Sequence, residues 1–436
     1  MNRYTRAEEK VGNGGGWAIG LGLATNGVMT GTWVSRLPAI SDRLKVSDGT
    51  LGLALLGAAL GAVLSLFVAS RLCRNFGVRT TYTCAVTTWA SLYVVAVLCP
   101  GPVTLFATLF VIGLMNGIFG VVANAAAHEL ELRLSRPLLP RYHGMFSIGA
   151  LAGSLVGARL AAHVGQITHV ISISVLCTIA SVVAARNIPT AGVVTARPVD
   201  HRRRSRESVP LTGRMRALRQ QQAIAIVGIG MIAMCTTLAE GAANNWSAIF
   251  LHHDRGTTES MAAAGFAAYA AAMAVGRLGG TWLARRVSRP TLLRAAGGML
   301  FSGIVLLVST HDLDATMVAM VLWGLGVALI FPSAMGAAAE VLDEPAVGIA
   351  HVAMIGYVGF VIGPPVVGWL ATTIDLGAGL LVVAGAGVVL IFLAPLARSR
   401  VAPPLNDPFA PVEAVEAVEA VDGVGAEPAG LVITAV

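Results

Sequence analysis

The sequence predicts an all-α membrane protein of twelve transmembrane helices arranged as two six-helix halves. Three observations carry that prediction. Only 12% of the 436 residues are charged while 56% are hydrophobic, and a water-facing domain runs at about 25% charged. Twelve mostly apolar runs of the length needed to cross hydrocarbon, about 20 residues each, are separated by charged or turn-forming breaks. Finally, 24 of the 30 Lys and Arg residues fall in alternate connections and the termini, against 4 in the other connections, which is the positive-inside bias of an embedded chain. A cytosolic enzyme, a secreted domain and a nucleic-acid binder are excluded by the same numbers. The net charge of +7 belongs to basic cytoplasmic loops.

The first run, 17–38, follows a polar, Gly-rich segment (1–16) without a cleavable signal pattern, and holds Asn26-Gly27, Trp33 and Arg36. The second, 51–69, carries Gly57 and Gly61 and ends at Arg71, Arg74 and Arg79. The third and fourth, 81–98 and 103–126, meet at Cys99-Pro100-Gly101-Pro102, and the fourth contains Gly113, Asn116, Gly117 and Asn124. The fifth, 143–164, opens at His143 and carries Gly149, Gly153, Gly157 and Arg159; the sixth is 169–185. These spaced glycines are small-x-x-x-small faces that let helix backbones approach.

A linker, 186–222, then separates six runs from six. It holds nine Arg, three Pro and the run Arg202-Arg203-Arg204-Ser205-Arg206, and reads as a solvated tether against anionic lipid headgroups. The second half runs 223–250, 261–283, 291–309, 315–338, 346–371 and 376–396. Pro332 and Pro364-Pro365 are expected to bend the tenth and eleventh helices. The tail, 397–436, repeats Val-Glu-Ala at 412–420 and reads as disordered low-complexity sequence. The domain plan is therefore an N-terminal cytoplasmic segment (1–16), two bundles (17–185 and 223–396), a linker (186–222) and a tail (397–436), with both termini cytoplasmic.

Glu240 is the single acid deep in a run. A carboxyl there is expensive unless neutral, paired or facing a wet cavity, and such a group suits proton coupling; the alternative is a structural pairing with Arg36 or with backbone. Gly241, Asn244 and Asn245 are weak helix formers, so the seventh helix either unwinds beside Glu240 or ends at the interface with Trp246 as an anchor. Arg277 is expected to snorkel or to pair with a nearby acid. Arg159 either meets an anionic substrate or snorkels. His143 and His351 open matching runs of the two halves. The sequence His252-His253-Asp254 reads as an exposed polar loop in preference to a metal site on the outside, and five scattered cysteines in no paired spacing give neither a disulfide framework nor a zinc site. Neither lysine sits in a phosphate-binding loop, and His128-Glu129 has Leu132 where a zinc-binding helix needs its second His.

The halves echo each other: Gly149 and Gly153 recur as Gly359 and Gly363, and Asn26-Gly27 with Trp33 has a counterpart in Glu240-Gly241 with Trp246. With the segments Trp33–Ile40, Asn116-Gly117, His143–Gly149, Glu240–Ala242, Gly276-Arg277-Leu278, Gly356–Phe360 and Gly363-Pro364-Pro365, the chain resembles the major facilitator superfamily over about 17–396, near the fucose-permease-like branch. The resemblance implies two rocking bundles, with the first, fourth, seventh and tenth helices lining a central cavity. Asn26, Asn116, Asn244, Asn245, Trp246, Trp323 and Tyr357 are then the cavity candidates, Glu240 the coupling group, and Arg36, Arg74, Arg79, Asn124, His143 and Arg277 the structural and gating set. Departures are visible too. Arg74 stands where the superfamily's second loop carries Asp, the matching loop of the second half lacks its acid, and Asn245 replaces another Asp.

The expected function is secondary transport of a small solute across the cytoplasmic membrane by alternating access, coupled to protons, by a monomer needing no cofactor and no metal. Its partners are the solute and membrane lipid. The rival readings are an efflux pump of the same fold and a non-transporting membrane sensor or scaffold.

Overall fold

The computed structural model describes residues 3–134, 138–188, 213–342 and 344–398. Among them the chain is helical with no strand. The N-terminal half consists of α1 (Arg3–Leu44), α2 (Asp48–Phe76), α3 (Val78–Ala96), α4 (Pro102–Leu134), α5 (Leu139–Leu160) and α6 (Gln166–Ala185). The C-terminal half consists of α7 (Gly213–His253), α8 (Glu259–Ala284), α9 (Arg289–Ser309), α10 (Leu313–Ala328), α11 (Ile330–Ala339), α12 (Pro345–Thr373) and α13 (Leu376–Leu393), closed by a 3₁₀ turn, Ala394–Ala397. Every apolar run of the sequence coincides with helix. Nine of the described helical stretches are long and apolar enough to cross a membrane, the joined stretch Leu313–Ala339 among them; α1, α3 and α5 are not in that set. All three carry polar side chains that would lower their mean: Asn26 and Arg36 on α1, five threonines on α3, His143 and Arg159 on α5.

Two boundaries differ from the sequence reading. Helix α1 starts at Arg3, inside the 1–16 segment, and α7 starts at Gly213, inside the 186–222 linker. The rest of the linker and nearly all of the acidic tail lie outside the described residues. Helix starts are capped as the sequence allows. Ser47, Thr258, Ser288, Asp312 and Asp375 each accept a backbone N–H three residues on, satisfying donors that a helix leaves unpaired.

The tenth run breaks. Leu329 ends α10 and α11 begins at Ile330. Pro332 has no N–H to give Ala328, and its ring crowds that carbonyl, so the ladder is interrupted where proline dictates. Pro364 and Pro365, in contrast, lie inside the unbroken α12.

Packing is closest where glycines meet backbone. A Cβ on Gly149 or Gly153 of α5 would collide with the Ala24 or Val28 carbonyl of α1, and one on Gly57 or Gly61 of α2 with the Phe106 or Phe110 carbonyl of α4. These faces let helices approach without side chains between them.

The buried core shows how the halves join. One large apolar cluster runs through both of them, from Trp33, Leu37 and Leu51 to Trp246, Phe266, Val367 and Leu380. It occupies the end of the molecule opposite residues 3 and 398, called here the far end; the end that holds those two residues is called the terminal end. At the terminal end the core divides into two separate clusters. One lies in the N-terminal half around Ile19, Tyr82 and Phe119, the other in the C-terminal half around Ile229, Ile330 and Leu390. The named contacts between halves agree. Gly49 N–H donates to Thr372 Oγ1 at 2.7 Å, the Ser260 hydroxyl to the Ala158 carbonyl at 2.6 Å, and Arg36 lies 3.5 Å from Glu259, all at the far end. The apolar core is shared there and divided at the other end.

Candidate functional site

Helices α5, α7 and α8 converge on one ion pair. Arg277 of α8 directs Nη2 at both carboxylate oxygens of Glu240 on α7, at 3.2 and 3.3 Å. Its other terminal nitrogen, Nη1, donates to Ser147 Oγ at 3.1 Å on α5. One guanidinium therefore holds a carboxylate of its own half and a hydroxyl of the opposite half. Arg277 is 9% exposed and Glu240 16%, so the pair is largely withdrawn from solvent while the carboxyl keeps an opening. Glu240 lies well inside the stretch Gln220–His253, which qualifies as a membrane span.

Two further groups lie within electrostatic reach of both charges: His143, one turn before Ser147, and Tyr269, two turns before Arg277. Ser147 donates to the His143 carbonyl at 3.3 Å. The Tyr269 ring stacks on Phe266 at 5.5 Å and meets Trp323 edge-on at 5.8 Å, and its buried hydroxyl has no hydrogen-bond partner among the described residues. Sequence reading did not single out Ser147 or Tyr269. The signal was their register: four residues from His143 and eight from Arg277 place each on its neighbour's helix face.

The structure corrects several sequence expectations here. Glu240 pairs with Arg277 and not with Arg36. Of the two alternatives for Arg277, pairing with an acid is the one found: it is buried against Glu240 rather than snorkelling. Arg36, 2% exposed, donates to His169 Nδ1 at 2.9 Å and to the Val164 carbonyl at 3.1 Å, tying α1 to the start of α6 besides its ion pair with α8. The seventh helix does not unwind: α7 continues through Gly241, Asn244 and Asn245 to His253. Trp246 and Trp323 have no exposed surface; they belong to the far-end core, although their indole N–H groups lack partners among the described residues.

The remaining cavity candidates are half-buried: Asn26 on α1, Asn116 on α4, Asn244 and Asn245 on α7, and Tyr357 on α12. Asn116 Oδ1 is buried without a partner among the described residues. The Tyr357 ring lies 6.3 Å from Phe360, and Phe360 lies over Gly241, 3.1 Å from where a Cβ would stand. Asn124 is half-buried near the terminal end of α4, and Arg74 and Arg79 are exposed at the turn between α2 and α3. Arg159 is exposed and lines an open pocket of about 330 Å³ with Leu155, His163 and Ser260. In the second half, Arg289 finds an acid after all: Glu340 at the end of α11, 2.8 Å away.

A membrane-embedded helical pair of halves, closed at one end around a buried ion pair, can be compared with known proteins. The family model described as Major Facilitator Superfamily matches residues 19–350 and, in a second match, 241–431. The chain belongs to the major facilitator superfamily. It is a multi-pass membrane protein of a transporter family, not of an enzyme class. Among its relatives is an uncharacterised transporter, y4wD, of Sinorhizobium fredii, 30% identical over 382 residues, covering 87% of this chain and 97% of the relative. An uncharacterised MFS-type transporter of Yersinia pestis is 29% identical over 81% of this chain and 86% of its own. The membrane protein MosC of Rhizobium meliloti is 24% identical over 85% and 87%. Among solved structures, the nucleoside transporter NupG superposes with a TM-score of 0.65 over 88% of this chain and 98% of that one, at 14% identity. A bacterial homologue of the human lysosomal transporter Spinster, solved inward-facing and occupied, gives 0.63 over 88% and 95%, again at 14%. At that identity the likeness is one of fold.

Proposed function

We propose that this superfamily member moves a small solute across the cytoplasmic membrane by alternating access, with Glu240 as the proton-coupling group. The Arg-rich terminal end faces the cytoplasm in this reading, so the arrangement described above is the one open toward the cytoplasm and closed outside. The motif likeness to the fucose-permease-like branch is consistent with this assignment.

One observation carries the coupling: the Glu240–Arg277–Ser147 chain. Ionised Glu240 holds Arg277 by charge. Adding a proton to the carboxyl ends that attraction and leaves the guanidinium free to take another acceptor, either from the opposite half or from the solute. A single proton therefore alters both a contact between the halves and the hydrogen-bonding capacity of the site. A buried polar group of this kind is costly to keep, and its paired, partly open placement is what a coupling residue requires.

The test uses purified protein in proteoliposomes, with a solute found by thermal-shift screening. Glu240→Gln keeps the shape of the side chain but carries no titratable proton. It is expected to exchange solute across the membrane at near the wild-type rate and to fail at accumulation driven by a pH gradient. Full accumulation by Glu240→Gln removes the coupling role. Comparing inside-out with right-side-out vesicles reads the direction of transport.

A further inference from the structure

The far end carries a second polar cluster that the coupling chain does not use. His252 and His253 are the last two residues of α7, and Asp42 stands against them from α1. His253 Nε2 is 2.8 Å from Asp42 Oδ1, and His252 Nε2 is 3.4 Å from Asp42 Oδ2. The donor atoms of the three side chains lie within 4.8 Å of one another. The sequence reading had grouped these histidines with Asp254 in a loop; the fold places them on a helix end and supplies a carboxylate from about 210 residues away.

The protonation pattern is what singles out this cluster. His252 Nδ1 lies 2.5 Å from the Thr257 carbonyl oxygen. A carbonyl only accepts, so Nδ1 carries the proton, and neutral His252 turns a bare lone pair at Nε2 toward an Asp42 carboxylate oxygen. Two acceptors at that separation need a cation between or upon them. Metal-binding histidines have this arrangement, with one ring N–H donated to a backbone carbonyl and the other nitrogen left for the ion. The separations of 2.8 and 3.4 Å bracket the roughly 3.3 Å between neighbouring ligands of a tetrahedral ion bonded at about 2.0–2.1 Å. The surroundings are negative as well. Asp48 and Asp375 each lie within electrostatic reach of Asp254 at this end of the molecule. Such a concentration of carboxylates attracts a divalent cation. Asp42 is 52% exposed and His253 35%, so an ion reaches the site from the medium on that side.

We propose that Asp42, His252 and His253 form a site for a zinc-class divalent transition metal that clamps α1 to α7 and holds the far end closed. Two imidazoles and a carboxylate make three ligands, with water as the fourth. The ligands come from opposite halves, so the complete set exists only while the far end is shut. An ion that binds one arrangement and not the other shifts the population toward it by its binding free energy. The consequence for turnover, inhibition by the metal from the outer side, rests on the alternating-access reading above.

The experiment measures Zn²⁺ binding to the purified full-length protein in detergent, by isothermal titration and by melting temperature, with Mg²⁺ as the control. Wild type should bind one Zn²⁺ and melt higher in its presence, and Mg²⁺ should do neither. Asp42→Asn and His252→Ala, both at partly exposed positions that leave the core untouched, should each bind at least about tenfold more weakly, since even second-sphere losses cost 10–100-fold. Spin labels at Lys45→Cys and His311→Cys, on a background freed of native cysteines, should report a single short distance with Zn²⁺ and a broader distribution without it. Equal Zn²⁺ effects in wild type and in both variants overturn the site. So does stabilisation by acid alone with no response to Zn²⁺, which would make the bridging cation a proton. If Zn²⁺ binds as expected and narrows the label distances while solute flux in proteoliposomes is undiminished, the clamp stands and alternating access is what fails.

Discussion

In the N-terminal half, α1 and α5 lie backbone to backbone at Gly149 and Gly153, and the polar groups at mid-depth, Asn26 and Asn116, carry no charge. In the C-terminal half the equivalent glycine Gly363 has its nearest neighbour, the Leu238 carbonyl, 4.0 Å from a would-be Cβ, and the mid-depth groups are Glu240 and Arg277. The terminal ends differ in the same sense. Arg289 pairs with Glu340 in the second half, whereas at the matching positions of the first half Arg79 is exposed and Glu131 Oε2 is buried without a hydrogen-bond partner among the described residues. Two bundles built on one plan thus differ at particular positions. Gly359 and Gly324 of the second half press on the Met234 and Tyr269 carbonyls as closely as the glycines of α5 press on α1, so the steric contrast is confined to Gly153 and Gly363, and the larger contrast is the charge that only the second half carries beside these contacts. Steric contact responds to nothing in solution; a carboxylate responds to pH. On the proposed coupling role of Glu240, response to a gradient would lie in one half, with Ser147 on α5 of the other half as the group it acts against.

The largest expected effect comes from breaking the charged centre. Arg277→Met leaves Glu240 without its cation, and removing one partner of a buried pair costs about 3–5 kcal/mol when the survivor stays charged. A melting temperature that falls steeply in the single variant and recovers when Glu240→Gln is added, which removes the stranded charge, is the expected signature.

Next come the matched glycines. Gly153→Ala forces a methyl group against the Val28 carbonyl and should cost about 1–3 kcal/mol by overpacking. Gly363→Ala meets only an ordinary van der Waals neighbour and should melt close to wild type. Equal losses at the two positions would erase the steric difference at this matched pair. Smallest is the terminal-end pair. Glu340→Gln breaks a partly exposed ion pair worth up to about 1 kcal/mol, and Glu131→Gln, which loses no comparable pair among the described residues, should be neutral or slightly stabilising in the same melting assay.

The fold was legible because hydrocarbon imposes a length and a composition on every crossing segment, and all twelve apolar runs proved helical. Pro332 announced the break at Leu329 for the same local reason. What could not be read was partnership. Glu240 and Arg277 are 37 residues apart and Arg36 was an equal candidate on charge alone; only the antiparallel register of α7 and α8 selects between them. Asp42 and His253 are further still, and nothing local links α1 to α7. Asn245 and Gly241 misled in the opposite direction. Their weak helix propensity is outweighed where water is absent and every backbone group must find its partner within the helix.

The divided core has a mechanical corollary. A single apolar cluster spans both halves at the far end, and two independent ones hold the terminal end, where the chain enters and leaves. Force applied between residue 3 and residue 398 therefore loads the two small clusters before it reaches the shared one. Extraction from the bilayer by its ends should proceed in steps, with the terminal-end packing of each half yielding separately and the region around Trp33, Trp246 and Phe266 holding until last. On the alternating-access reading, the part of the molecule that opens for the solute to cross is then also the part that resists pulling longest.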